Sequence, residues 1–230
     1  MRTDTTRRGE AREGRMGSLE DQPRFRMFVE RVSAVVEANG GLRGGAQKDL
    51  LIHVSEAAKA LVSVDDWLPV AAAGPHPVHY QQYLLYCDPR ERFTVTSFVW
   101  GPGQQTPIHD HTTWGVIAML RGAEHSQRFA PGTPMRITAT DLLREGEIDV
   151  VSPASGDIHK VSNGTEGEVA VSIHTYGGNI GRIVRHVFAP ETGRTTDFIS
   201  GYANADATYR GYACFANQTV TADQTTPGAM

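Results

Sequence analysis

From residue 80 onward the chain is cut into short runs of β-branched and aromatic residues, and this punctuation limits its fold more than any other feature. The runs are 80–86, 93–99, 114–120, 124–129, 135–139, 148–152, 170–175 and 183–188. Gly, Pro, Asp and Asn separate them, so each is predicted to be a strand ending in a turn. No helical periodicity interrupts the series, which argues against a parallel βαβ sheet and for an antiparallel barrel or jelly roll. With 24 glycines, 12 prolines and 40% hydrophobic residues in 230, the chain has both the turns and the apolar mass for such a core.

The N-terminal third reads differently. Phe25, Phe28, Val32, Val35 and Val36 recur at helical spacing, and Gly40-Gly41 stops the run, which predicts a helix over 22–39. Leu50, Leu51, Val54, Ala57, Ala58 and Leu61 predict a second helix over 47–62. Residues 71–78, with Gly74, Pro75 and Pro77, form a connector. Residues 1–20, where Arg7, Arg8, Arg12 and Arg15 alternate with Glu10, Glu13 and Glu20, are expected to be a disordered, solvated extension, and Met16 is an alternative start. The folded domain is expected over 21–215, with Tyr202, Tyr209, Tyr212 and Phe215 packing over the barrel, and 216–230 as a loose tail.

The net charge of -4 and the pI of about 6.1 do not fit a nucleic-acid binder. There is no apolar signal segment and no run of membrane-spanning length. The two cysteines, Cys87 and Cys214, are therefore expected to be free thiols in a reducing cytoplasm. Oligomeric state is left open.

Nine histidines are present, and one pair stands out. On a strand, His109-x-His111 would place two imidazoles on one face. Two protonated imidazoles there would repel, and a divalent metal resolves this by taking both as neutral ligands. Gly103, five residues, His109-x-His111 and then Gly122 reproduce most of the first cupin motif, G-x5-H-x-H-x3-E-x6-G. Gly146, Pro153 and Gly156-x2-His159-x3-Asn163 follow the second, with spacing slipped by one residue on either side of Pro153. The predicted fold is therefore mainly β, a single cupin jelly-roll barrel with N-terminal helices, and its metal ligands are His109, His111 and His159. Gly115 stands where the motif carries glutamate, so no carboxylate ligand is expected. A neutral three-histidine set leaves a divalent ion its full charge and favours an anionic donor such as a thiolate. His53, His76, His79, His125 and His186 are given no role.

Ser172, His174 and Tyr176 sit at i, i+2 and i+4 of one run and would share a strand face. A hydrogen-bonded chain from hydroxyl to imidazole to phenol is sterically natural there, though a water-exposed polar face would use the same spacing. Together, His109-x-His111, His159 and Ser172-x-His174-x-Tyr176 resemble the cysteine dioxygenase family of thiol dioxygenases, over about residues 80–186. The resemblance implies Fe(2+) held by the three histidines and addition of both atoms of O2 to a thiol sulfur, giving a sulfinic acid. Ser172, His174 and Tyr176 would form the outer network. Mammalian-type members carry an arginine on an early strand for the substrate carboxylate. Gln82 stands at that position here, which resembles the bacterial 3-mercaptopropionate branch, whose arginine follows the tyrosine. Arg185 matches that arginine best; Arg182 reads as a surface salt-bridge residue. The cysteine that mammalian-type enzymes crosslink to the tyrosine falls at about Gly115, so no crosslink to Tyr176 is expected.

Three further readings stand beside the 3-mercaptopropionate one. They are a dioxygenase of cysteine or mercaptosuccinate, a non-catalytic small-molecule-binding cupin, and a cupin enzyme using nickel or manganese on a carbon substrate.

Overall fold

The computed structural model describes Leu19, residues 22–40 and residues 45–205. The expectations for the extension, for Met16, for Tyr209, Tyr212 and Phe215, and for the tail lie outside the described residues. Two helices, α1 (Pro23–Ala38) and α2 (Gly45–Val62), precede eleven strands. The strands are β1 (Gln81–Cys87), β2 (Thr94–Trp100), β3 (Ile108–His109), β4 (Gly115–Arg121), β5 (Ala123–Ala130), β6 (Arg136–Arg144), β7 (Ile148–Val151), β8 (His159–Asn163), β9 (Ala170–Tyr176), β10 (Arg185–Phe188) and β11 (Thr195–Phe198). They form a five-stranded sheet, β1-β2-β9-β4-β7, and a six-stranded sheet, β11-β10-β3-β8-β5-β6. All pairings are antiparallel, and the architecture is the predicted cupin-type jelly roll.

The helices lie on the outside of the five-stranded sheet. Phe25, Phe28, Val32, Leu50, Val54 and Leu61 form one buried cluster with Val95, Val116, Ala118, Val171 and Ile173, and Phe25 stacks on Trp67 at 5.3 Å. Each such side chain contributes about 1.5–3 kcal/mol by leaving water. A second cluster lies between the sheets: Leu84, Phe98, Trp100, Ile117, Met119, Val161 and Tyr176. Strand alternation assigns the residues. On β9, Val171 and Ile173 face the helices, so Ser172, His174 and Tyr176 face the barrel interior. Because both faces are covered, every residue of β2 and β9 is buried.

Sequence reading reaches β3 and β8 only through their histidines and not as β-rich runs, and it does not reach β11 at all. β3 and β8 are short and carry the polar ligand residues, while β11 is polar and largely exposed. The expectation of free cysteines is corrected. Cys87 is disulfide-bonded and no cysteine is free among the described residues, while Cys214 lies outside them. Pairing depends on whether the fold brings two Cα atoms to about 4.4–6.8 Å, which spacing along a chain does not reveal. Among the described residues no helix is long and apolar enough to cross a membrane.

Candidate metal centre and its flanking network

His109 ends β3 and lies directly opposite His159, the first residue of β8. His111 lies beyond β3, not on it as H-x-H alone predicts, and is positioned by a loop. Thr112 takes φ 55° there, and Asp157 accepts bonds from the backbone N–H groups of His111 (3.0 Å) and Thr112 (2.9 Å). The three ring centroids stand 4.8–4.9 Å apart, and the three potential ligand atoms lie within 4.8 Å of one another.

The outer nitrogens are occupied. His109 Nδ1 meets the Pro107 carbonyl at 3.1 Å, His111 Nδ1 meets Asp157 Oδ1 at 2.8 Å, and His159 Nδ1 meets Ser126 Oγ at 3.5 Å. Each ring is thereby oriented from behind, and Nε2 is left as the inward ligand. Burial, then the Arg185 charge, lowers the His109 pKa to about 4. Burial, then neighbouring His109, holds His111 and His159 well below the usual histidine value. These are neutral imidazoles at pH 7, the form that binds a metal. The group can hold one ion.

These shifts predict a pH effect on the metal-free protein. A histidine whose folded pKa is lowered binds fewer protons folded than unfolded, so stability falls as pH drops below about 6.5 and keeps falling toward 4. For His109 the full effect is roughly 3 kcal/mol. Urea midpoints between pH 7.5 and 4.5 should show the slope, and His109→Gln should flatten it in part. An unchanged slope in that variant would assign the loss to other groups.

Beside the histidines, the predicted chain is formed. Tyr176 Oη lies 2.8 Å from His174 Nδ1, and His174 Nε2 lies 2.8 Å from Ser172 Oγ. The Tyr176 ring stacks on His111 with centroids 5.3 Å apart, and Phe98 stacks on His174 at 4.2 Å. Burial raises the Tyr176 pKa, so the phenol keeps its proton. Gly115 lies opposite Tyr176, and a Cβ there would sit 3.0 Å from the tyrosine ring. A side chain at 115 would thus touch Tyr176, and this chain has none.

Arg185 opens β10 and is buried, pointing inward; the strand begins two residues later than the predicted run 183–188. Its guanidinium lies 4.5 Å over the Phe198 ring and donates to Ser200 Oγ. Ser200 in turn donates to Gln82 Oε1 at 3.3 Å. Among the described residues, neither the buried Arg185 Nε nor the buried Gln82 Nε2 has a hydrogen-bond partner. Burial lowers the Arg185 pKa. Arg182 pairs with Glu91 at 3.0 Å on the surface, as the sequence suggested.

Sequence reading missed several residues around these groups. They are Asp157 behind His111, Ser200 and Phe198 around Arg185, and Glu124, which is buried and accepts a hydrogen bond from Ser172. Asp110, between two of the histidines, holds His186 (Nδ1 to Oδ2 2.7 Å) and so ties the ligand loop to β10. The signals available were weak. Asp157 lies within the second motif, and Glu124 alternates with exposed His125 on β5.

The family described as cysteine dioxygenase type I matches residues 83–186, rather less than half of the chain. Over that stretch the chain is similar to that family. Its relatives include cysteine dioxygenase type 1 of Bos taurus and of Homo sapiens, each 31% identical over 90 residues, 37% of this chain and 44% of theirs. The match thus spans under half the length of these relatives. All three histidines and Ser172-x-His174-x-Tyr176 lie inside the matched segment, as does Arg185; Gln82 lies one residue before it. Among solved structures, a conserved double-stranded β-helix protein from Klebsiella pneumoniae is 14% identical, with TM-score 0.40 over 58% of this chain and 97% of that one. An RmlC-like cupin from Desulfovibrio desulfuricans is 19% identical, with TM-score 0.38 over 50% and 96%.

Proposed function

We propose that this protein is a non-haem iron(II) thiol dioxygenase. It adds both atoms of O2 to the sulfur of a small thiol carboxylic acid, 3-mercaptopropionate above all, to give the sulfinic acid. The observation that carries the reading is a donor-only cluster beside the three histidines. Ser200 engages the Gln82 carbonyl oxygen, so the groups of this pair that stay unpartnered, Arg185 Nε–H and the Gln82 Nε2 amide, are both donors. Unpartnered buried donors are costly, and a bidentate carboxylate satisfies both at once. Similarity to cysteine dioxygenases over 83–186 supports thiol chemistry in the same pocket.

Three neutral nitrogen donors suit a divalent first-row ion, and iron(II) bound by His109, His111 and His159 would supply the redox chemistry at sulfur. The rest falls to the chain. Arg185 and Gln82 fix the carboxylate, which sets how far the sulfur reaches toward the histidines. Asp157, Pro107 and Ser126 keep the ligand rings turned inward. Phe98, Trp100 and Tyr176 wall the interior against water. Gln82 offers a neutral hydrogen bond and no charge to recognise an amino-acid zwitterion, which favours 3-mercaptopropionate over cysteine.

Oxygen uptake by the ferrous protein tests this with 3-mercaptopropionate, cysteine, cysteamine and mercaptosuccinate. The greatest turnover is expected with 3-mercaptopropionate and the least with cysteamine, which lacks the carboxylate. No uptake with any small thiol acid would sink the activity, and a clear preference for cysteine would sink the role given to Gln82.

A further inference from the structure

The chain Tyr176–His174–Ser172 does not end at the serine. Ser172 Oγ donates to Glu124 Oε1, and Glu124 is buried on β5, in the opposite sheet. The Ser172 oxygen is also 3.3 Å from Trp100 Nε1. Trp100 can only donate, and a carboxylate can only accept. The serine proton therefore goes to Glu124, and the serine oxygen accepts from Trp100 and from His174. That requires the proton of His174 on Nε2 and leaves Nδ1 bare. Nδ1 then accepts, so the Tyr176 hydroxyl proton is directed at His174, away from the pocket.

We propose that Glu124 is a positioning residue that sets the polarity of this wire. It keeps Tyr176 as a hydrogen-bond acceptor toward the substrate pocket. The function of that polarity rests on the proposed thiol dioxygenase reading. A tyrosine whose proton is committed inward cannot donate to the substrate carboxylate, which leaves the carboxylate to Arg185 and Gln82. Each donor in the wire is used once, and the two acceptor sites of the serine oxygen are both filled: Tyr176 donates to His174, His174 and Trp100 to Ser172, and Ser172 to Glu124. Without Glu124, the serine hydroxyl has one acceptor left, His174 Nε2. The whole wire then reverses, His174 Nδ1–H donates to Tyr176, and the phenol proton is released toward the pocket. The carboxylate thus acts at a distance through two intervening side chains.

Nitrogen-15 NMR of the full chain loaded with zinc(II) reads the His174 tautomer directly, with the signal assigned by its loss in His174→Gln. The wild type should carry its proton on Nε2 with Nδ1 unprotonated. Glu124→Met should exchange the two, moving the protonated shift to Nδ1. Glu124→Gln keeps an acceptor oxygen and should keep the wild-type tautomer. A wild-type ring protonated on Nδ1 overturns the proposal even if Glu124→Met does not fold, and so does a folded Glu124→Met that keeps the wild-type tautomer. Oxygen uptake separates this from the function itself. A tautomer that responds as expected in a protein that oxidises no thiol would leave the wire standing and remove the dioxygenase.

Discussion

Replacing His159 with glutamine is expected to remove stoichiometric iron and bring oxygen uptake with 3-mercaptopropionate to background. With no carboxylate in the three-histidine group, each imidazole would carry a full share of the binding. Losing an outer partner of a metal ligand costs roughly 10–100-fold in affinity. Asp157→Asn, which weakens the 2.8 Å contact behind His111, sets that lower mark. His159→Gln should exceed it. Glutamine keeps much of the volume on β8, so the variant should fold. Its metal-free stability near pH 5 should equal or exceed that of the wild type, because one buried imidazole with a lowered pKa is gone. Metal analysis and urea denaturation on the same sample therefore separate a lost ligand from a lost fold. A wild type that takes up no iron would point to the non-catalytic barrel. Full iron retention in His159→Gln would remove His159 from the ligand set.

The barrel was legible because its strands are short, β-branched and bounded by turn residues, and the helices because their apolar faces are strictly periodic. The inward face of β9 was legible too, since period-2 alternation needs only sequence. What sequence could not give was contact between distant segments. His111 lies beyond a strand of two residues, and its place comes from Asp157, 46 positions away. Gln82 and Arg185 were named by resemblance, but the serine that joins them, Ser200, lies where the sequence shows no pattern. Glu124 was hidden because a glutamate on a strand is most often exposed, and only burial against Ser172 gives it meaning. The disulfide at Cys87 was missed for the same reason. Composition ranks what a segment can form, while the partner of a polar group is decided by the closed barrel.

Arg185→Met is expected to make the ligand-free protein more stable and the proposed thiol-acid oxidation far slower. The wild-type guanidinium is buried, has an unpartnered Nε, and is pushed toward its neutral form by burial. A buried charge without full compensation is a net cost, and an apolar side chain of similar length relieves it by about 1–4 kcal/mol. The substituted thioether would lie against Phe198, which now faces the guanidinium, and Ser200 would keep its bond to Gln82. The carboxylate of the substrate, by contrast, would enter with no cation to meet it. Removing one partner of a buried charge pair costs about 2–5 kcal/mol, which is roughly 30-fold to several thousand-fold in kcat/KM. Most of the loss should fall on thiol acids and little on cysteamine, whose slow turnover never used the arginine. Iron content should stay unchanged, because Arg185 is not a ligand. The variant thus dissociates recognition from metal binding, and its thermodynamics run opposite to its kinetics. That opposition is the mark of a side chain retained for its ligand at the expense of the fold. A destabilised variant with unaltered kcat/KM for 3-mercaptopropionate would make Arg185 a structural residue and leave the carboxylate without its anchor.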